Sequence, residues 1–326
     1  MLKGYTKQEI SWMMYDWANS AHSVIIVTLL PIFFDTVAGY TADSVSSMST
    51  WGYATSIAML IVALAAPFLG VFGDIRGMRK KLFSFFMLLG VAACAGMAFT
   101  PGMDFTSGPV AAGKVASLIL VLYIVSVIGF DASAIYYDAF LTDVTTEDRM
   151  DKVSTMGYGL GYIGGSTIPL LIFLIMNLVG VPMLTCLAFV FGLTAVWWLA
   201  FSLPLLKNCE QTSGKPYEKG DVARSIKGVG TTIKEIIANK PMLIYILSYF
   251  FYIDGVHTVI SMATTYGTNL GLDSTGMMLA LLLVQILGLP FCLLYIKCSE
   301  KFGARTMVGF GICVYMFICI FAFFMN

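Results

Sequence analysis

Apolar residues run along this chain in nine long stretches, near residues 12–35, 52–73, 82–99, 115–138, 153–176, 181–203, 241–266, 276–297 and 305–325. Each is long enough as a helix to cross a hydrocarbon core of about 30 Å. The pattern predicts nine membrane-spanning helices joined mostly by short polar turns. Alternating the turns between two sides sorts the charge. One side receives Lys3, Lys7, Arg76, Arg79, Lys80, Lys81, Arg149, Lys152, the seven basic residues of 204–240, and Lys297, Lys301 and Arg305; the other receives only Lys114. Basic loops stay cytoplasmic. The N-terminus is therefore expected inside, and the ninth helix ends outside.

Composition agrees with a polytopic membrane protein. The chain is 58% hydrophobic and 12% charged, with a mean hydropathy of +0.84, too little charge to cover a soluble surface of this length. The basic residues lie in short loops rather than on one folded face, which argues against nucleic-acid binding. The first stretch is too long for a cleaved signal and carries Asp16 and His22, so it reads as a retained helix. The seven cysteines sit mostly inside apolar stretches without CxxC spacing. They read as small buried residues, with no metal and no cofactor expected.

The longest polar stretch, 204–240, divides the chain into 1–203 with six helices, a basic cytoplasmic linker, and 241–326 with three. In its second half Ile226, Val229, Ile233 and Ile236 recur at helical spacing, with Arg224, Lys227 and Lys234 among them. An amphipathic helix on the anionic inner leaflet fits this pattern. Gly228 and Gly230 leave a flexible linker as the other reading.

The turn between helices two and three reads GDIRGMRKK, with Asp74, Arg76, Gly77 and Arg79. The turn between helices eight and nine reads SEKFGARTM, with Glu300, Gly303 and Arg305. Acid, Gly three later and Arg two after that recur at equivalent places, which makes an internal repeat. Glycine permits a tight turn, and the basic cluster can pair with acids on neighbouring helix ends. Such pairs suit a latch between two conformations of a transporter; the plain alternative is a loop that only sets topology.

Six helices, a cytoplasmic linker and a second set resemble the plan of the major facilitator superfamily. Three stretches narrow the likeness: YDWANSAHS (Tyr15 to Ser23), YYDAFLTDVTTEDRMDKVSTMGYGLGYIGG (Tyr136 to Gly165) and FYIDGVHT (Phe251 to Thr258). Together they resemble the autophagy-related vacuolar effluxer-like branch, over essentially the whole chain. Asp138 and Thr142 depart from it, standing where that branch more often has Asn and Pro. The resemblance implies an all-α membrane fold: a complete six-helix N-terminal bundle plus the first three helices of the C-terminal one, nine of twelve, so three more would follow. It implies a solute transporter, working as a monomer, in a cell membrane or, in a fungus, the vacuolar membrane. Amino-acid export is that branch's known role, and helices one, four, seven and ten would line the cavity.

Ionisable groups inside a membrane are costly and so are functional candidates. Helix one has Asp16 and His22, helix four Asp131 and Asp138, helix seven Asp254 and His257. Asp16, Asn19, Ser20 and Ser23 fall on one helical stripe; Asp254, His257, Thr258, Ser261 and Thr265 form another; Asp131 and Asp138, seven apart, share a face. These stripes predict three helices walling a water-filled path. Asp16 and Asp138 lie near the cytoplasmic ends, where a structural or gating pair suits them better than solute contact. Asp138 and Asp143 are paired candidates at the same end of helix four. Asp254, near mid-segment, is expected to be buried and to exchange a proton for solute, with His257 one turn away. Ordinary interhelical hydrogen bonding is the alternative for Asp254 and for both histidines. Gly157, Gly161 and Gly165 predict close helix packing, and Gly159 and Gly164 leave a hinge open.

Apart from Lys297 and Arg305 at the outermost positions of two stretches, no Lys or Arg lies within the nine, so a neutral, zwitterionic or cationic solute is expected, with a proton as a candidate partner. GxxxxGK[ST], HExxH and GxSxG are absent, which disfavours an ATP-driven motor and a membrane-embedded enzyme. A non-transporting or regulatory fragment that keeps the fold is the remaining alternative.

Overall fold

The computed structural model describes residues 2–41, 47–216, 221–269 and 274–324. The side chains of Arg224, Ile226, Lys227, Ser261 and Thr265, named above, fall outside the described residues. Helices α1 (Lys7–Ala38), α2 (Ser47–Gly73), α3 (Met78–Met97) and α4 (Pro109–Val144) form the first four spans. The fifth is composite: α5 (Met150–Gly161), a π turn (Tyr162–Thr167) and α6 (Ile168–Leu178). Then come α7 (Met183–Asn208), α8 (Asp221–Ala238), α9 (Lys240–Asn269), α10 (Ser274–Phe302) and α11 (Ala304–Phe323). Among the described residues nine segments are long and apolar enough to cross a membrane, and they coincide with the nine predicted stretches.

Local chemistry explains where the spans begin and end. Thr6 caps α1 through a reciprocal box: its hydroxyl accepts from the Glu9 N–H, and the Glu9 carboxylate accepts from the Thr6 N–H. The box satisfies two helix-end donors and starts α1 five residues before the apolar run. Pro109 stands in the first turn of α4, where a missing N–H costs nothing. The sixth span passes through Pro204 and ends at Asn208, beyond the expected boundary at 203; Lys207 in its last turn suits the negative end of the helix dipole.

The chain forms two compact units, Met1–Lys219 and Gly220–Asn326. In the first, α1 packs against α4, α7 and the fifth span, while α3 packs on α4 and α7 and α2 on α4. The α3–α4 crossing is close because glycines meet there: a Cβ on Gly129 would lie 2.5 Å from the Gly90 nitrogen. Trp198 of α7 covers Gly90 from the other side. Trp198, Tyr15, Tyr136, Phe83 and Phe140 are fully buried around this point. Outward faces such as Tyr53, Leu60 and Leu64 on α2 remain exposed, as lipid contact requires. In the second unit α8 packs on α9, and α9 to α11 touch one another sparingly. Among its described residues only Gln285, Leu289 and Ile296, all on α10, are buried.

Candidate functional site

The polar residues of α1 do not share one environment. Asp16 is 7% exposed and accepts a hydrogen bond from the Tyr137 hydroxyl of α4 at 2.8 Å. The Trp12 ring stacks on Tyr137 with centroids 4.3 Å apart, and its Nε1 donates to the Tyr137 carbonyl at 2.9 Å. Trp12 thereby fixes both the ring and the backbone of the residue that holds Asp16.

The other face of Asp16 meets the fifth span. Gly157 leaves no room for a Cβ because the Asp16 carboxylate occupies that space. One turn on, a Cβ on Gly161 would lie 2.5 Å from the Ser20 hydroxyl; another turn on, a Cβ on Gly165 would lie 2.5 Å from the Trp17 carbonyl. Asp16 and Ser20 therefore face Gly157, Gly161 and Gly165 along a single seam, the bare glycine backbone lying against the polar side of α1. This part of the stripe is covered by α5, where the sequence predicted a water-filled path. Two separate sequence signals, a polar stripe and a glycine stripe, are the two halves of one contact. The π turn lies at the end of this seam. Thr167 donates its hydroxyl to the Tyr162 carbonyl at 2.7 Å, and the Trp17 ring covers Gly164.

His22 lies deeper in the bundle. Its ring stacks on Phe130 at 4.7 Å and tilts against Trp198 at 5.3 Å, with Nε2 3.3 Å from the Ser126 hydroxyl and Nδ1 buried without a partner. Nearby, the Tyr15 hydroxyl is 2.8 Å from that of Ser133 and accepts from Trp198 Nε1 at 3.4 Å. The whole arrangement is enclosed by α1, α4 and α7. Asn19 is likewise buried. On α4, Asp131 is half-buried and Asp138 exposed; they share a face by their spacing, and Asp138 is near enough to Asp16 to act on it electrostatically.

Two ion pairs hold the end of the unit that carries the N-terminus. Arg79 is 4% exposed and pairs with the buried Asp143 carboxylate; its Nη1 also donates to the Ala139 carbonyl at 3.0 Å. Asp74 is more distant, at 4.0 Å, and Arg76 is exposed. Gly77 precedes α3 with φ +82°, a conformation that favours glycine. Asp143 and Asp138 therefore serve different contacts. The second pair joins Glu9 to Arg149 through two bonds of 2.8 and 2.9 Å, with Thr145 donating to Glu9 at 2.7 Å. Sequence reading missed this pair, although the Thr6–Glu9 box was legible as T-K-Q-E.

In the second unit Asp254 and His257 are exposed on α9. The burial expected for Asp254 is not supplied by that unit. Tyr252, Gly255, Val256 and Val259 take the other face of α9 and line an apolar cleft of about 380 Å³ with Ile312, Tyr315 and Cys319 of α11. Gly303 precedes α11 with φ +82°, the value found at Gly77, while Glu300 and Arg305 are exposed. Among the described residues no group of three His, Cys, Asp or Glu is placed to hold a metal ion.

Among the described residues the chain is all-helical, with nine spans and buried polar residues between them, which makes it a multi-pass membrane protein whose fold is that of the major facilitator transporters. The xylose transporter XylE from E. coli, solved in a partially occluded inward-open conformation, superposes with a TM-score of 0.51, covering 91% of this chain and 73% of that one at 13% identity. The model of the vacuole effluxer Atg22-like family matches residues 5–325, and the chain belongs to that family. It is 40% identical to an uncharacterized MFS-type transporter, YxiO of Bacillus subtilis, over all of this chain and 75% of that protein. Autophagy-related protein 22-1 of Penicillium rubens is 24% identical over 51% of this chain and 30% of its own length. The chain thus spans three quarters of its bacterial relative and under a third of the fungal one.

Proposed function

We propose that this protein is a secondary transporter that exports a small neutral, zwitterionic or cationic solute by alternating access, with amino acids as the solute class and a proton as the exchange partner. Its N-terminus is cytoplasmic and its location the cell membrane. Efflux follows the family's name, and amino acids follow the sequence resemblance to the vacuolar effluxers.

The observation that carries the charge preference is the acidic side of α1 and α4. Asp16, Asp131 and Asp138 lie within the span region, while the guanidinium groups of Arg79 and Arg149 are engaged elsewhere, with Asp143 and Glu9. A carboxylate in a low-dielectric setting needs a neutralising partner. A proton supplies one at the enclosed Asp16, and the ammonium group of a solute supplies one at Asp131 or Asp138, which are less covered. Asp254 on α9 is the corresponding acid of the second unit. His22, enclosed by Phe130 and Trp198, serves as a core contact that holds α1 to α4.

Efflux from proteoliposomes loaded with radiolabelled leucine and lysine tests this reading under an imposed pH gradient. Loss of gradient-driven efflux in Asp16→Asn or Asp254→Asn, with folding retained, supports it. Unchanged rates and pH dependence in both variants would remove the acids from transport. Chemical conversion of the loaded solute would favour a membrane-embedded enzyme.

A further inference from the structure

The eight residues that follow α7, Cys209 to Pro216, lie across the α2–α3 turn. Gln211 makes three bonds to backbone there. Its Nε2 donates to the carbonyl of Gly73, the last residue of α2, at 2.9 Å. Its Oε1 accepts from the N–H groups of Gly77 at 2.8 Å and Arg79 at 3.3 Å, at the start of α3. Gly77 has no side chain to cap α3. One amide from a distant segment therefore caps the end of one helix and the start of the next.

The neighbours of Gln211 continue the contact. Lys215 and the turn exchange backbone bonds, Arg76 N–H to the Lys215 carbonyl at 3.0 Å and Lys215 N–H to the Asp74 carbonyl at 3.1 Å. The Asp143 Oδ1 accepts four bonds of 2.8–3.1 Å from the N–H and hydroxyl groups of Thr212 and Ser213. The Ser213 hydroxyl also accepts from Arg79 Nη1 at 3.3 Å. The segment thus covers the buried Arg79–Asp143 pair and touches both members.

We propose that residues 209–215 are a releasable strap, with Gln211, Thr212 and Ser213 positioning the α2–α3 turn, and that lifting this strap is the step that frees Arg79 and Asp143 to separate. Two features support release over permanent cover. Gln211 to Lys215 are held by hydrogen bonds, with no buried apolar side chain among them, and Thr212 to Pro216 are exposed, where water can replace those bonds. The buried element is Cys209, at the base of the strap, whose thiol lies 3.6 Å from the Gln8 carbonyl. Segments that move in a functional cycle are drawn from such weakly held regions.

Cys209 is a native reporter. Burial pushes its thiol up to about 12, and alkylation needs the thiolate, so Cys209 reacts only when the base of the strap opens. The experiment is N-ethylmaleimide labelling of the full chain in lipid nanodiscs, read at Cys209, Cys94 and Cys186 by peptide mass spectrometry. Gly214 has φ +115°, and a Cβ there would lie 2.6 Å from the Asp74 carbonyl, so Gly214→Ala lifts the strap without altering Arg79 or Asp143. Its expected effect is at least a tenfold faster reaction at Cys209, and Gln211→Ala gives about threefold. Cys94 and Cys186, both buried in the bundle, stay protected. Oxidised Ile75→Cys/Lys215→Cys, at the bridged pair of residues, slows Cys209 labelling below the wild-type rate, and reduction restores it. Equal Cys209 rates in wild type, Gln211→Ala and the cross-linked protein overturn the proposal. So does acceleration of all three cysteines together, which is unfolding rather than release. The link to transport rests on the function proposed above. The labelling needs no solute, so strap release and transport fail separately.

Discussion

The α2–α3 and α10–α11 turns carry the same motif, yet their arginines have different fates. Gly77 and Gly303 both sit at φ +82° ahead of the next helix, but ψ is −2° at Gly77 and 145° at Gly303. Two residues on, Arg79 is buried and Arg305 is exposed. The local sequence is enough to set a glycine at positive φ between the helices. Burying a guanidinium takes partners from far along the chain: Asp143, 64 residues away, and the Gln211 segment, more than 130 residues away. A motif repeated in sequence therefore repeats a glycine at positive φ, and it is a latch only where a distant acid and a strap complete it.

The sharpest way to break this comparison is to remove the acid. Asp143→Ala leaves Arg79 buried without a counter-charge and should cost about 3–5 kcal/mol, seen as a fall in melting temperature in detergent micelles. Arg305→Ala should stay within about 0.5 kcal/mol. Equal effects would mean that the two turns are energetically alike.

The same contrast applies to helix packing. Gly129→Ala forces a Cβ into the Gly90 backbone and should cost about 1–3 kcal/mol. Gly309→Ala on α11, where the space is open, should be neutral or stabilise by up to about 1 kcal/mol. Thermal melting of the two variants checks both signs. Smaller again is Glu9→Gln. It keeps the cap partner of Thr6 but weakens the pair with Arg149, whose side chain is 35% exposed, so the loss should be about 1 kcal/mol. The smallest effect among the turn glycines is expected for Gly77→Ala, about 1 kcal/mol at an αL position. Gly303→Ala, at φ +82° and ψ 145°, enters a region open essentially to glycine alone and should cost more, about 1–3 kcal/mol; denaturant titration measures both. Equal costs would show that ψ does not set the penalty.

Much of the architecture was legible because membrane spans are written in composition. The nine stretches survive in the structure, and the family likeness survives in its relatives. The candidate site was less legible, for reasons that differ by residue. The stripe of Asp16 and Ser20 looked like a path wall because a polar stripe in a membrane needs a polar neighbour. A glycine backbone is one, and Gly157, Gly161 and Gly165 supply it. Asp254 looked buried because it is mid-segment, but depth along a helix says nothing about which face it occupies. Gln211 carried no signal at all: one amide in a polar stretch acquires meaning only from the helix ends it reaches. The π turn at Tyr162–Thr167 is visible in sequence only as soft glycines.

The central claim is that the acids of α1, α4 and α9 set the charge of what is carried. Counterflow in proteoliposomes tests it directly, comparing radiolabelled lysine, leucine and aspartate at equal concentration and fixed pH. The account predicts exchange of lysine and leucine at least tenfold above protein-free vesicles, with aspartate at background. Aspartate exchanged as fast as or faster than lysine would contradict it, because an anionic solute has no cationic partner among these residues.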